Sequence, residues 1–169
     1  NISDETAVFP VTVDTSTTVA ILDFQIDTAD ATDGITSETA ITLNGTNEAG
    51  ATVAIYASFN DATNASSVQV GDATVSGTTW TFDYGSVAEP LADGTYRFTA
   101  VATDIAGNIS DETAVFPVTV DTSTTVAILD FQIDTADDTD GITSETAITL
   151  NGTNEAGATV AIYASFNDA

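Results

Sequence analysis

Along this chain apolar residues recur at every second position in short runs, and each run ends at glycine, asparagine or aspartate. TVAILDFQI (18–26) sets Leu22, Phe24 and Ile26 on one face. ETAITLNG (38–45) offers Ile41 and Leu43, and ATVAIYAS (51–58) offers Val53 and Ile55. SSVQVGDATV (66–75) offers Val68 and Val70, and TTWTFDYG (78–85) alternates Trp80, Phe82 and Tyr84. GTYRFTAVATD (94–104) alternates Tyr96, Phe98, Ala100 and Ala102, and TAVFPVTVD (113–121) alternates Phe116, Val118 and Val120. A period of two is that of a half-buried strand, and the intervening residues are turn formers. No segment carries a helical period. Trp80, Phe82 and Tyr96 read as core residues, because aromatic side chains dominate cores.

Seven short strands in roughly a hundred residues predict an all-β immunoglobulin-like β-sandwich. The chain also repeats itself. Residues 108–169 restate residues 1–62 at an offset of 107, with one difference, Ala31 against Asp138. That period is too long for a solenoid unit and suits a whole domain. The strand pattern sets the phase: residues 1–13 are the last strand of a preceding repeat, 14–120 a complete repeat, and 121–169 the first three strands of a following one. The chain therefore reads as a piece of a tandem, end-to-end array, in which neighbouring identical repeats are the first partners.

Composition narrows the chemistry. The 169 residues hold 26 acids and one base, Arg97, for a formal charge of −25. A surface this negative repels nucleic-acid phosphates and anionic lipid, and it attracts cations. Cysteine, histidine and methionine are absent, so soft-metal sites have no ligands and only oxygen donors remain. The same absences, with no lysine, remove the usual nucleophile–base pairs, and no feature marks a small-molecule substrate cleft; the chain reads as no enzyme. A paired-carboxylate glycosidase stays formally open. No apolar run is long enough to span a bilayer, so direct membrane insertion is not expected.

LADGTYRFTAVATDIAGNISDETAVFPVTVDTS (91–123) resembles the closing half of the bacterial Ig-like repeats in giant secreted adhesins. The shared residues are Leu91, Asp93, Gly94 and Tyr96, then Asp104, Ala106, Gly107, Asn108 and Ser110, then Val120, Asp121 and Thr122. DGITSETAITLNGTNEAGATVAIY (33–56) resembles that family's early strands. The resemblance implies the extender region of RTX and biofilm-type adhesins of Gram-negative bacteria. There such repeats bind calcium at domain junctions and hold an adhesive tip away from the cell, at the extracellular surface. The GGxGxD nonapeptides of RTX tails are absent here.

The acids that could hold calcium follow from strand alternation in a sandwich. DTADATDGIT (27–36) carries Asp27, Asp30 and Asp33 with no base beside them, and DTADDTDGIT (134–143) carries Asp134, Asp137 and Asp140. Alternate loops share a pole, which places 27–36 at the outgoing end near linker residue Asp121 and the next repeat's Glu155. The incoming end gathers Asp14, Glu48, Asp104 and Asn108. Calcium takes 6–8 oxygens in flexible geometry, whereas magnesium demands tighter octahedral order. Asp61, Asp72, Asp83 and Asp93 read as turn formers. Asp111 and Glu112 fit either role. The expected function is a calcium-stabilised stalk, and the alternative is a carbohydrate- or protein-binding module using Tyr56 or Phe59.

Overall fold

The computed structural model describes residues 7–25, 33–87, 89–132, 142–144 and 146–166. The chain divides into two units, residues 1–122 and 123–169. Among its described residues the first unit contains nine strands in two sheets. One sheet holds β1 (Val19–Gln25), β3 (Thr42–Asn47), β7 (Thr79–Asp83) and β6 (Thr74–Ser76), in that order. The other holds β2 (Ile35–Thr36), β9 (Phe116–Val120), β8 (Gly94–Thr103), β4 (Thr52–Phe59) and β5 (Val68–Asp72). Every pairing is antiparallel except β2 with β9, which run parallel. The order and the single parallel edge are those of an immunoglobulin-like sandwich. No helix of the described residues is long and apolar enough to cross a membrane.

The alternating residues meet between the sheets. Ile41, Leu43, Val53, Ile55, Trp80, Phe82, Phe98, Ala100, Ala102, Val118 and Val120 are all buried in one cluster with Phe24, Leu91 and Tyr96. Trp80 lies against Gly45, where a Cβ would come within 2.4 Å of Trp80 Cζ2, and its Nε1–H donates to Thr46 O at 3.2 Å. Glycine is required there by the Ala20 carbonyl, 2.0 Å from such a Cβ, and by the indole. Tyr96 turns its hydroxyl back to accept from the Ala92 N–H at 3.0 Å, the corner that fixes the start of β8.

Three features depart from the alternation. Leu22, expected inward, is 61% exposed. The β1–β3 register slips between Ile21 and Asp23, so one extra residue reverses the faces: Val19 and Ile21 pack against the core before the slip, and Phe24 is buried after it. The run 66–75 is two strands, β5 and β6, which belong to different sheets, and its Val68 lies exposed. The two-residue β2 was not expected. It exists through β9, with the Thr119 N–H donating to Gly34 O and the Asp121 N–H to Thr36 O.

The second unit pairs β10 (Val126–Gln132) with β11 (Thr149–Asn154), in a two-stranded sheet. Its register matches β1–β3 residue for residue, slip included. Residues 158–165, the expected third strand, form none.

Candidate metal centre

Three acids converge at the incoming end of the first unit. Asp14 precedes β1, Glu48 follows β3 and Asp104 follows β8; one carboxylate oxygen from each lies within 4.8 Å of the others. Local turns set each in place. Glu48 is held at its N–H by Thr18 O, and its carbonyl accepts from the Ala51 N–H, closing the tight turn after β3. Asp104 heads a turn in which the Gly107 N–H returns to Asp104 O and the Asp104 N–H donates to Asn108 O. Asp14 Oδ1 accepts from the Ser16 N–H, an Asx turn that leaves the other oxygen of that carboxylate uncommitted to this bond.

Asn108 organises the group. Its backbone N–H donates to Asp104 Oδ1 and its Nδ2 to Asp104 Oδ2, each at 2.8 Å. Nδ2 also donates to Asp14 O at 3.1 Å, bridging a sequence separation of 94 residues. In this geometry the Asn108 amide nitrogen is a donor that orients the acids. Asp104 is only 8% exposed. That burial opposes its ionisation, but donors from the Asn108 side chain and from the Asn108, Gly107 and Ala106 backbone outweigh it, and the carboxyl is held below its ordinary pKa. The acid nearest to burial is thus kept charged by neutral donors.

Do these residues fit calcium? The donor set is wholly hard oxygen, as calcium prefers. Thr17 Oγ1, three residues after Asp14, and Asn47 Oδ1, next to Glu48 in sequence, are buried without a hydrogen-bond partner. The chain's one base lies elsewhere: Arg97 sits in β8 with Ser58 and Pro117 as its cross-strand neighbours. Three converging carboxylates without a counter-charge suit a cation, and this hard-oxygen donor set fits calcium.

The remaining expected ligands are placed as follows. Asp33 is exposed, and its Oδ1 caps the Ile35 N–H at 2.8 Å. Asp121 follows β9, half-buried, at the same end of the unit as Gly34 and Thr36. Glu155, in the second unit, opens the same turn as Glu48, with its N–H on Thr125 O. Asp27, Asp30, Asp134, Asp137 and Asp140 lie outside the described residues.

One residue read as a plain turn former does more. Asp93 Oδ1 accepts from both the Thr122 N–H at 3.1 Å and the Thr122 hydroxyl at 2.7 Å. It clamps the residue directly after Asp121. The two halves of this clamp fall among the residues shared with the adhesin repeats, Asp93 with Gly94 and Tyr96, and Thr122 with Asp121, but 29 residues apart nothing in the sequence pairs them. Asp61 does act within its own turn, taking the N–H and hydroxyl of both Thr63 and Ser66. Glu112 accepts from the buried Thr99 hydroxyl at 2.5 Å, which gives it a structural role.

A sandwich with one parallel edge strand and a tyrosine corner defines an immunoglobulin-like module. The bacterial Ig-like domain family matches residues 11–122, most of the chain, and the chain belongs to that family. No curated protein matches it.

Proposed function

We propose that the chain is a calcium-stabilised extender from the stalk of a large secreted bacterial adhesin, repeated end to end to hold an adhesive tip away from the cell. The observation that carries this reading is the convergence of Asp14, Glu48 and Asp104 from three separate segments, with no base among them. Asp14 belongs to the segment leading into β1, whereas Glu48 and Asp104 belong to the body of the domain. A cation shared by them would tie that incoming segment to the domain and remove hinge freedom. When bound, calcium would supply counter-charge for carboxylates that otherwise repel one another. Asn108 already holds the same two parts, joining Asp104 to the Asp14 carbonyl. At the outgoing end, the clamp of Asp93 on Thr122 plays the matching part. Both ends of the domain then grip the chain that passes through them, which is what a spacer requires. The membership in a bacterial Ig-like family and the offset repeat of 107 residues support the tandem, extracellular setting.

A glycan-binding reading finds less support. Phe59 and Tyr96 form an aromatic pair with centroids 4.7 Å apart beside a shallow cleft, but its two serine hydroxyls are committed within the domain. The Ser58 hydroxyl donates to Asn64 and the Ser66 hydroxyl to Asp61.

Calorimetric titration of the chain with calcium tests the proposal. The reading expects saturable binding in the range of extracellular modules, about 10⁻⁴–10⁻³ M or tighter, weakened at least tenfold by Asp104→Asn or Glu48→Gln. Absence of saturable heat, or heat that neither substitution changes, would remove the site.

A further inference from the structure

The first unit contains a cleft of about 330 Å³ whose lining includes Ser58, Phe59, Ser66, Val70, Tyr84 and Tyr96. Phe59 ends β4, Tyr84 follows β7 and Tyr96 stands near the start of β8, so the cleft lies at the outgoing end, away from the acid cluster. Every lining residue belongs to the sandwich itself. Tyr96 is fixed by its corner bond with the Ala92 N–H. Phe59 is seated over Gly94, where a Cβ would come within 2.6 Å of Phe59 Cε2. The Phe59 and Tyr96 rings are tilted by 40°, and Tyr84 and Tyr96 by 62° with centroids 6.3 Å apart. The three rings therefore form a corner instead of one flat stack, and Phe59 is 45% exposed.

The polar groups of the lining have one sign. A serine hydroxyl carries a single hydrogen and two lone pairs. Ser58 Oγ spends its hydrogen on Asn64 Oδ1 at 2.6 Å, and Ser66 Oγ spends its own on Asp61 Oδ2 at 2.8 Å. Toward a guest these two oxygens can only accept. Asp61, one hydrogen bond behind Ser66, is held below its ordinary pKa by the Thr63 hydroxyl and the Ser66 donors, so its negative charge is permanent near neutrality. Arg97, the chain's one base, follows Tyr96 in β8 and by strand alternation leaves the opposite face of the sheet. The whole chain, at a formal charge of −25, draws cations toward such a site and repels anions.

We propose that this cleft is a binding site for a small quaternary ammonium ion, held among the rings of Phe59, Tyr84 and Tyr96. Aromatic rings attract such a cation through their quadrupoles, and methylated ammonium groups are the ligands that aromatic corners take best. The charge of the chain selects the sign of the guest. The lining selects its kind: a quaternary ammonium has no N–H to satisfy, and its methyl groups suit Val70 and the rings. A sugar hydroxyl also needs donors, and the two serines have no hydrogen left to give. The site lies at the other end of the domain from Asp14, Glu48 and Asp104, and the proposal does not depend on the calcium reading.

The probe is choline chloride, titrated into the whole chain in chelator against sodium chloride at equal ionic strength and followed by nuclear magnetic resonance. Saturable shifts are expected on Phe59, Ser66, Val70, Tyr84 and Tyr96. The neutral isostere 3,3-dimethylbutan-1-ol should bind at least about fivefold more weakly, because it keeps the shape and loses the charge. Phosphocholine, which brings a phosphate into the same negative field, should also bind more weakly than choline. Phe59→Leu and Tyr84→Leu keep the wall apolar but remove a ring, and each should weaken choline by at least about threefold. Native Trp80 fluorescence shows that each variant still folds. The proposal fails if choline gives no saturable shift, or if its shifts spread over the exposed acids as for any counter-ion. It also fails if the isostere or phosphocholine binds as well as choline, or if both folded variants bind choline as the parent does.

Discussion

Residues 16–62 and 123–169 carry the same sequence save Ala31 and Asp138, yet they reach different ends. Both form the first hairpin, β1–β3 and β10–β11, in the same register and with the same slip. In the first unit Val53 is 1% exposed and Ile55 fully buried within β4; their copies Val160 and Ile162 are 42% and 57% exposed and belong to no strand. The difference separates local information from borrowed information. The hairpin, bulge included, is written in its own residues. The third strand needs β8 and β5 on its two sides, and β2 needs β9. Residues 7–13 and 114–120 repeat the lesson, since both read AVFPVTV: the second copy contains β9, whereas the first forms no strand and lies exposed. Strand propensity alone commits neither stretch; a partner edge does.

Amide hydrogen exchange should break or sharpen this contrast most strongly. Ile55 and Ala57 should exchange only through global opening of the first unit, whereas Ile162 and Ala164 should exchange at least about a thousandfold faster. Equal protection at the two sets would mean that the third strand is as locally determined as the hairpin.

The next effect concerns the tryptophan seat of the first unit. Trp80→Ala should cost the first unit about 3–5 kcal/mol, as large core deletions do. Gly45→Ala should cost about 1–3 kcal/mol by overpacking, since its Cβ would lie 2.0 Å from Ala20 O and 2.4 Å from Trp80 Cζ2. Urea unfolding followed by intrinsic fluorescence reports this unit for Gly45→Ala, because it holds the chain's only tryptophan. Trp80→Ala is read by near-ultraviolet circular dichroism of the tyrosines instead. A neutral Gly45→Ala would show that neither the Ala20 carbonyl nor the indole crowds Gly45 as described.

How much of this was legible beforehand follows from the same distinction. Period-two alternation located every long strand of the first unit and the buried residues Ile41, Leu43, Val53, Ile55, Trp80, Phe82, Tyr96 and Phe98. It misassigned Leu22, because a bulge adds one residue and a period of two cannot absorb it. It ran β5 and β6 together, because a change of sheet at Ala73 leaves the alternation nearly intact; Gly71 lies where a Cβ would sit 2.8 Å from Phe82. The convergence of Asp14, Glu48 and Asp104 could be anticipated from strand direction alone, since alternate loops share a pole. The orienting role of Asn108 and the clamp of Asp93 on Thr122 could not, because side-chain hydrogen bonds across 94 and 29 residues leave no periodic trace.

The clamp offers a smaller test. Asp93→Ala removes both bonds to Thr122 and should cost about 1 kcal/mol, given the exposure of the site. Thr122→Val should cost less alone and add little in the double variant. Full additivity in that cycle would show that the two residues act independently.

The smallest effect is in pH. In chelator, Asp104 titrates below its ordinary value of 3.8, and so does Asp61, which is held down by the hydroxyl and backbone donors of Thr63 and Ser66. A carboxyl depressed in the folded state contributes stability that is full above its unfolded pKa and is lost as pH falls through the lower folded value. The gap in melting temperature between the parent chain and Asp104→Asn should therefore be constant near neutrality and narrow below about pH 4. A gap that widens with acid would reverse the sign assigned to Asp104.

The central claim, that the acid cluster holds calcium and thereby stiffens the domain, is tested most directly by thermal unfolding of the parent chain in millimolar calcium and in chelator. An ion that binds only the folded form stabilises it by about 2.7 kcal/mol at a hundredfold excess over its Kd. The account predicts a clear rise in the Tm of the first unit with calcium, absent in Asp104→Asn and not reproduced by sodium at equal ionic strength. The same Tm in calcium and in chelator would contradict it.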